Sequence, residues 1–208
     1  MTEMEQGSEE WFAARVGKLT ASRLGDVLAK VKSGPAATRK NYATQLILER
    51  VTGEKADLGF TTADMQWGID KEEEARNAYA FIHDAEVVEV GFIDHPKVDM
   101  VGASPDGLVD DKGMVEIKCP KSATHLANLQ GAPISKQYFA QMQLQMECCD
   151  RSWTDFVSFD PRFPARMQLK VTRVPRDTKW MNEAWPDIKS FLKEVEKGHE
   201  FLMKEFGE

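Results

Sequence analysis

Apolar positions change period several times along this chain, and each change marks an expected element. Ser8 ahead of Glu9-Glu10-Trp11-Phe12 reads as the cap of a short helix ending at Arg15. Val16-Gly17-Lys18-Leu19 breaks it, and Thr20-Ala21-Ser22 opens a second helix running to about Ala29. A loop over 31–35 leads to a helix at about 38–51, striped by Tyr42, Leu46 and Ile47 and stopped by Thr52-Gly53. Leu58-Gly59-Phe60 and a polar turn follow. Ala75, Ala78, Tyr79 and Ile82 then recur at helical spacing over 71–83.

The period next drops to two. Residues 86–93 alternate and are rich in β-branched side chains, which predicts one strand. Asp94-His95-Pro96 turns it, and another strand begins at 100–103. Segments 106–109 and 114–118 complete an antiparallel set. A short helix or loop over 121–129 ends at Gly131-Ala132-Pro133, and 135–148 is a strongly patterned helix. Strands at 153–159 and 167–174 flank the turn Asp160-Pro161-Arg162. A long helix closes the chain over 177–206, with Pro186 as its expected interruption. The pattern predicts an α/β fold, a central strand set flanked by helices, in one domain over 1–208.

The stretch 102–120 carries the most chemistry. Pro105-Asp106-Gly107 is a turn that presents a carboxylate, and Met114-Val115-Glu116-Ile117-Lys118 is extended. Alternate side chains of a strand share a face, so Glu116 and Lys118 point one way and Val115 and Ile117 the other. Two acids and an amine gathered by a hairpin repel or pair poorly without a cation among them. Two carboxylates with a backbone carbonyl are hard oxygen donors that suit magnesium, with manganese able to substitute. Each fragment alone is also an ordinary feature: Pro-Asp-Gly is a common turn, and Glu-x-Lys a common surface pair.

Other candidates are spread along the chain. Glu72, Glu73 and Glu74 complement a helix dipole if they lie in its first turns, but only one faces inward, and Glu72 shares a face with Ala75, Arg76 and Tyr79. Arg15, Ser22 and the amides near Ser22 form either a phosphate site or a plain helix start. Lys30, Lys32, Arg39 and Lys40 are a solvated basic face or the flank of that site. Gln141, Gln143 and Gln145 lie on one helix, solvated or, if buried, hydrogen-bonded.

Composition narrows the classes. A chain of 208 residues with 42% hydrophobic content can bury a core. It has no apolar run of membrane-spanning length and no charged-then-apolar leader, which leads us to expect a soluble, cytoplasmic protein. Cys119, Cys148 and Cys149 are too few for a disulfide scaffold or a four-thiolate cluster and are expected as reduced thiols. The net charge of -7 weighs against a surface that binds DNA tightly without metal.

The order Asp106, then Glu116-Ile117-Lys118, resembles the signature of the PD-(D/E)xK nuclease superfamily, whose core is restriction-endonuclease-like with a central mixed sheet flanked by helices. The fuller series is narrower. It runs from Trp11 and Arg15-Val16-Gly17-Lys18-Leu19-Thr20-Ala21-Ser22 through Trp67-Gly68, Glu72 and Ala75-Arg76. It continues with Ser104-Pro105-Asp106-Gly107-Leu108, Glu116-Ile117-Lys118-Cys119-Pro120, Tyr138, Gln141 and Gln143. Together these resemble the YqaJ-type viral recombinase (phage lambda exonuclease) family from about Glu9 to Asp160.

The resemblance implies that Asp106, Glu116 and the Ile117 carbonyl ligate magnesium, two ions per site, and that Lys118 positions the nucleophilic water. Glu72 would support the second ion, Gln141 would hold the arrangement, and Arg15 with Ser22 would bind a 5′-terminal phosphate. It further implies 5′→3′ digestion of one strand of linear double-stranded DNA by a ring-shaped homotrimer, leaving 3′ overhangs for a phage single-strand annealing protein. A closed ring removes the need for a basic exterior. An endonuclease on the same fold and a non-catalytic DNA-end-binding module are the competing readings.

Overall fold

The computed structural model describes residues 4–31, 34–56 and 62–207; Lys32 of the basic stretch and Leu58-Gly59-Phe60 lie outside them. Helix α1 (Glu9–Arg15) starts where the Ser8 hydroxyl accepts a hydrogen bond from the Trp11 amide. Gly17, at φ 69°, takes the left-handed turn that sends the chain into β1 (Leu19–Thr20). The expected helix start at Thr20 is therefore a strand. Leu19 and Thr20 are buried and pair in parallel with Val101 and Gly102, so tertiary pairing overrides the local helix signal. A single 3₁₀ turn (Ala21–Arg23) then leads into a short α2 (Leu24–Leu28). A small hairpin, β2 (Lys30–Val31) and β3 (Gly34–Pro35), precedes α3 (Ala37–Thr52).

Helix α4 runs Ala63–His83, starting well before the expected Lys71 because Thr62 caps it by accepting from the Met65 amide. The strand expected over 86–93 is two: β4 (Val87–Val88) and β5 (Ile93–Asp94), which belong to different sheets. Between them the Gln6 side chain donates to the Val90 carbonyl at 2.8 Å, so that carbonyl bonds a side chain from the N-terminal segment. After β6 (Val101–Ala103) come β7 (Gly107–Val109), β8 (Gly113–Lys118), α5 (Ser122–Leu129) and α6 (Lys136–Cys148). Then follow β9 (Trp153–Phe159), β10 (Leu169–Pro175) and α7 (Thr178–Phe206). Pro186 lies inside α7 without interrupting it. Burial of Met181, Ala184, Ile188, Phe191 and Val195 holds the helix where one backbone hydrogen bond is missing.

The larger sheet has the order β10-β9-β8-β7-β4, antiparallel except for the parallel β8–β9 pair, which makes it mixed. The strand at 101–103 is not part of it. It pairs with β1 and β5 in a second sheet, contrary to the expected antiparallel set. Alternation along β8 decides what each face meets. Val115 and Ile117 pack with Ala75 and Tyr79 of α4, while Met114 packs with Met142 and Met146 of α6. The central sheet therefore lies between α4 and α6. A third cluster joins α2, α3, α6 and α7 around Leu24, Leu46, Leu144 and Phe191.

At the end of β9, the fully buried Asp160 accepts from the Ser122 hydroxyl at 2.7 Å and from Arg162 Nε at 2.7 Å, tying α5 to the β9–β10 turn. Burial alone would raise this carboxyl, but the Arg162 and Ser122 hydrogen bonds outweigh it and lower it to about 2. A depressed folded-state value stabilises above the unfolded value of about 3.9 and loses that contribution as pH falls through the folded one. Asp160→Asn should therefore unfold at lower denaturant than the wild type near pH 6, with the gap narrowing between about pH 4 and 2.

Candidate active site

The end of the β7–β8 hairpin creates the site. Strand β7 begins only at Gly107, opposite Val115, so Ile117 has no strand partner on that edge. Its amide donates instead to Asp106 Oδ2 at 2.6 Å. The N–H and carbonyl of one residue project to the same edge of a strand, so the Ile117 carbonyl opens beside the Asp106 carboxylate. Gly107 is required here, since a Cβ would lie 2.3 Å from the Val87 side chain of β4. Behind it, Arg76 of α4 donates from Nε to the Asp106 carbonyl at 3.0 Å and fixes the turn.

Glu116 points to the α6 face and is 0% exposed. Its Oε1 accepts from Gln141 Nε2 at 2.6 Å and lies 2.5 Å from Lys118 Nζ, and its Oε2 accepts from Gln145 Nε2 at 2.7 Å. A buried carboxylate is tolerated only when so bonded. Gln145, one of the three glutamines noted on this helix, lies one helical turn from Gln141 and shares its face. Gln143 faces elsewhere. It donates to the Pro175 carbonyl and accepts from the Asp177 amide, joining α6 to the start of α7.

Glu72 enters from α4, while Glu73 and Glu74 are exposed. Because α4 begins at Ala63, these acids sit in its middle and not in its first turn, which removes the dipole explanation. Arg76 Nη2 holds Glu72 at 2.7 Å and Arg76 Nη1 holds Glu89 at 2.9 Å. Burial, more than any neighbour, raises the Glu72 carboxyl. Burial and then the Glu116 carboxylate push Asp106 well above the carboxylate range. For Lys118, burial would lower the ammonium, but Glu116 and Asp106 overcome it and raise it, so it stays charged. Its side chain is 28% exposed and lines a cleft of about 590 Å³ with Glu72, Tyr138, Trp67 and Arg162.

Among the described residues, no three His, Cys, Asp or Glu side chains already form a metal-binding group. The donors here are Asp106, Glu116, the Ile117 carbonyl and Glu72, an oxygen-only set with an excess of negative charge over Lys118. Gln145 Oε1 is also buried without a protein partner, an acceptor that metal-bound water can satisfy. Such a set fits magnesium, which keeps several waters and takes only one or two carboxylates from the protein. Cys119 is no soft ligand here, since burial and then Glu72 push its thiol up to about 12.

Arg15 and Ser22 meet in a separate pocket of about 220 Å³ that also contains Trp11, Lys18, Arg23 and Lys55. Ser22 is not a helix cap. Its hydroxyl lies 3.3 Å from that of Thr20, and Thr20, at the cap position, makes no capping bond. The pocket's positive charge comes from side chains. Arg15 stacks 3.9 Å from the Trp11 ring centroid, and burial pushes its guanidinium below the ordinary value. Glu49 also lines the pocket, but its oxygens accept from the Gly17 amide and Gln45 Nε2. Arg15 Nη1 and Trp11 Nε1 both donate to the Ser104 hydroxyl, at 3.4 and 2.9 Å, two residues from Asp106. Ser104 therefore links the two sites, hydrogen-bonded to Trp11 and Arg15 and two residues along the chain from Asp106. The basic stretch contributes less: Arg39 is buried against Glu194, and Lys30 is paired with Asp187.

The profile of the YqaJ-like viral recombinase domain matches residues 10–152. The chain is 25% identical over 185 residues to "Uncharacterized protein R354" of Acanthamoeba polyphaga mimivirus, covering 74% of this chain and 32% of that protein. It thus spans about a third of the length of that curated relative, at 32%. The crystal structure of an alkaline exonuclease from Laribacter hongkongensis superposes with a TM-score of 0.88 at 45% identity, covering 95% of this chain and 97% of that one. The same figures hold for that protein in complex with dAMP. A phage-related exonuclease from Haemophilus somnus 129PT, at 18% identity with a TM-score of 0.63 over 90% of this chain and 96% of that one, shares the fold.

Removing one donor from a buried carboxylate should be measurable. Gln145→Ala is expected to lower stability by about 1–3 kcal/mol in urea denaturation, because Glu116 Oε2 loses its partner.

Proposed function

This chain belongs to the YqaJ-like viral recombinase family, and on that premise we propose that it is a magnesium-dependent exonuclease acting 5′→3′ on linear double-stranded DNA. The observation that carries the reading is the buried Glu116, held by Gln141 and Gln145 beside Asp106 and Lys118 at the hairpin's open end. A surface Glu-x-Lys pair would need no such support.

In this reading Asp106, Glu116 and the Ile117 carbonyl hold magnesium, with Glu72 supporting a second ion and manganese able to replace either. The bound metal supplies Lewis-acid polarisation of the phosphate and a more acidic water. Lys118 orients the attacking water and offsets charge on the phosphate from the cleft. Gln141 and Gln145 fix the Glu116 carboxylate so that it need not reorganise during the reaction. Arg15 and Ser22 take the 5′-terminal phosphate, and Ser104 ties that pocket to the metal-binding turn. Anchoring a terminal phosphate at a set distance from the hydrolytic centre favours ends over internal sites, which argues for an exonuclease above an endonuclease.

The proposal extends to the assembly. A homotrimeric ring around the duplex gives processivity without a basic exterior, consistent with the net charge of -7. The product strand with its 3′ overhang would pass to a phage single-strand annealing protein in the bacterial cytoplasm. No helix among the described residues is long and apolar enough to cross a membrane.

Linear duplex DNA labelled at one 5′ or one 3′ end, incubated with magnesium, separates the polarities. Early release of the 5′ label as mononucleotide, with closed circular DNA left intact, is expected; cutting of the circle rejects the exonuclease assignment. Lys118→Ala should reduce the rate by at least about a hundredfold. Arg15→Ala should shrink the preference for 5′-phosphorylated over 5′-hydroxyl ends, read as the ratio of kcat/KM values.

A further inference from the structure

The cleft lined by Lys118 and Glu72 contains a further cation that the roles above leave unused. Arg162 lines the same cleft as Lys118, with its side chain 49% exposed. It is held on three sides. Its Nε and Nη2 donate to Asp160 at 2.7 and 2.9 Å, its guanidinium lies 4.5 Å from the Trp67 ring centroid, and Nη2 also reaches the Pro120 carbonyl at 3.4 Å. Asp160 is itself fully buried and fixed by Ser122, so it anchors the arginine from behind. An arginine ordinarily loses much side-chain freedom on being ordered. Here that ordering precedes any ligand.

The anchor leaves donor capacity over. A guanidinium has five N–H groups in a fixed fork, and the contacts above use Nε and Nη2. Among the described residues no acceptor engages Nη1. Lys121 also lines the cleft and pairs with Asp64 at 2.9 Å, with side chains 71% and 63% exposed. Such a solvent-screened pair exchanges readily for a stronger anion. The cleft thus has one anchored and one releasable cation in a lining that also includes Lys118 and Glu72, with the Trp67 ring against the Arg162 guanidinium.

We propose that Arg162, with Lys121, forms a second phosphate subsite, which grips a backbone phosphodiester of the strand passing Lys118. It is distinct from the Arg15–Ser22 pocket and indifferent to whether the end is phosphorylated. The ligand class is a nucleic-acid phosphodiester, and the inference rests on the nuclease reading above. Arg162 is a positioning residue, since Lys118 and the acid cluster act on the scissile bond. Together with the Arg15–Ser22 pocket it would hold the strand at two points, which orients the scissile bond.

Equilibrium binding separates this inference from the reading beneath it. In a Lys118→Ala background, which prevents turnover, the affinity for linear duplex DNA is measured by fluorescence anisotropy across a potassium chloride series. Both 5′-phosphorylated and 5′-hydroxyl ends are used. Adding Arg162→Gln should weaken binding several-fold and equally for both ends, and should reduce the slope of log K against log salt by about 1. Arg162→Lys should recover the salt slope but only part of the affinity, because it restores charge without the fork. Arg15→Ala should instead remove the difference between the two ends. In the active background, Arg162→Gln should raise KM more than it lowers kcat. If the parent binds linear DNA and a folded Arg162→Gln protein keeps its affinity and salt slope, the subsite is rejected. If the parent binds no DNA, the nuclease reading fails and this inference with it.

Discussion

A single buried carboxylate organises this molecule. Glu116 occupies a central strand between two helices, where an unpaired charge costs several kcal/mol. Its neighbours answer that cost. Gln141 and Gln145 reach it from α6, and Lys118 from its own strand. These partners leave the adjacent Asp106 still crowded: its carboxyl is raised by burial and then by Glu116, with only the Ile117 amide and Lys118 opposing. The cluster remains too negative for its surroundings. On the reading proposed above, a hard divalent cation would relieve it, and the oxygen-only donors suit one.

The rest of the fold follows from holding that arrangement open. Beginning β7 only at Gly107 exposes the Ile117 edge, Arg76 ties the Asp106 turn to α4, and the parallel β8–β9 pair places the Asp160 anchor alongside. The Arg15–Ser22 pocket is built on other elements, α1, the 3₁₀ turn and α3. Yet it is joined to the Asp106 turn through one hydroxyl, Ser104, two residues away. On the reading proposed above, this would set a substrate end and the hydrolytic centre at a fixed separation.

Much of this was legible in the residue order, for identifiable reasons. Helices with a strong apolar stripe, α3, α6 and α7, match their expected ranges because their own packing face determines them. Alternation along 114–118 sorted Val115 and Ile117 from Glu116 and Lys118, and one buried strand satisfies that pattern. Apart from the early start of α4 at its Thr62 cap, the misreadings involve partners distant in sequence. Thr20 carries a helix-start signal, but Val101 and Gly102 capture it as a strand. The run 86–93 alternates throughout, but Gln6 bonds Val90 where it divides. Arg39 looks like surface charge until Glu194, far along the chain, pairs with it. The inward face of Gln145 was legible in the sequence, whereas the Arg162 anchor depends on a buried Asp160 that local polarity does not reveal.

The central claim is that the Asp106–Glu116 pair is a cation site. Isothermal titration of magnesium into the metal-stripped protein tests it most directly, with Asp106→Asn as the comparison. The account predicts saturable binding to the wild type that is abolished or weakened at least about tenfold in the variant, since one of two charged ligands is gone. Equal binding by the two proteins, or none by a folded wild type, would contradict it.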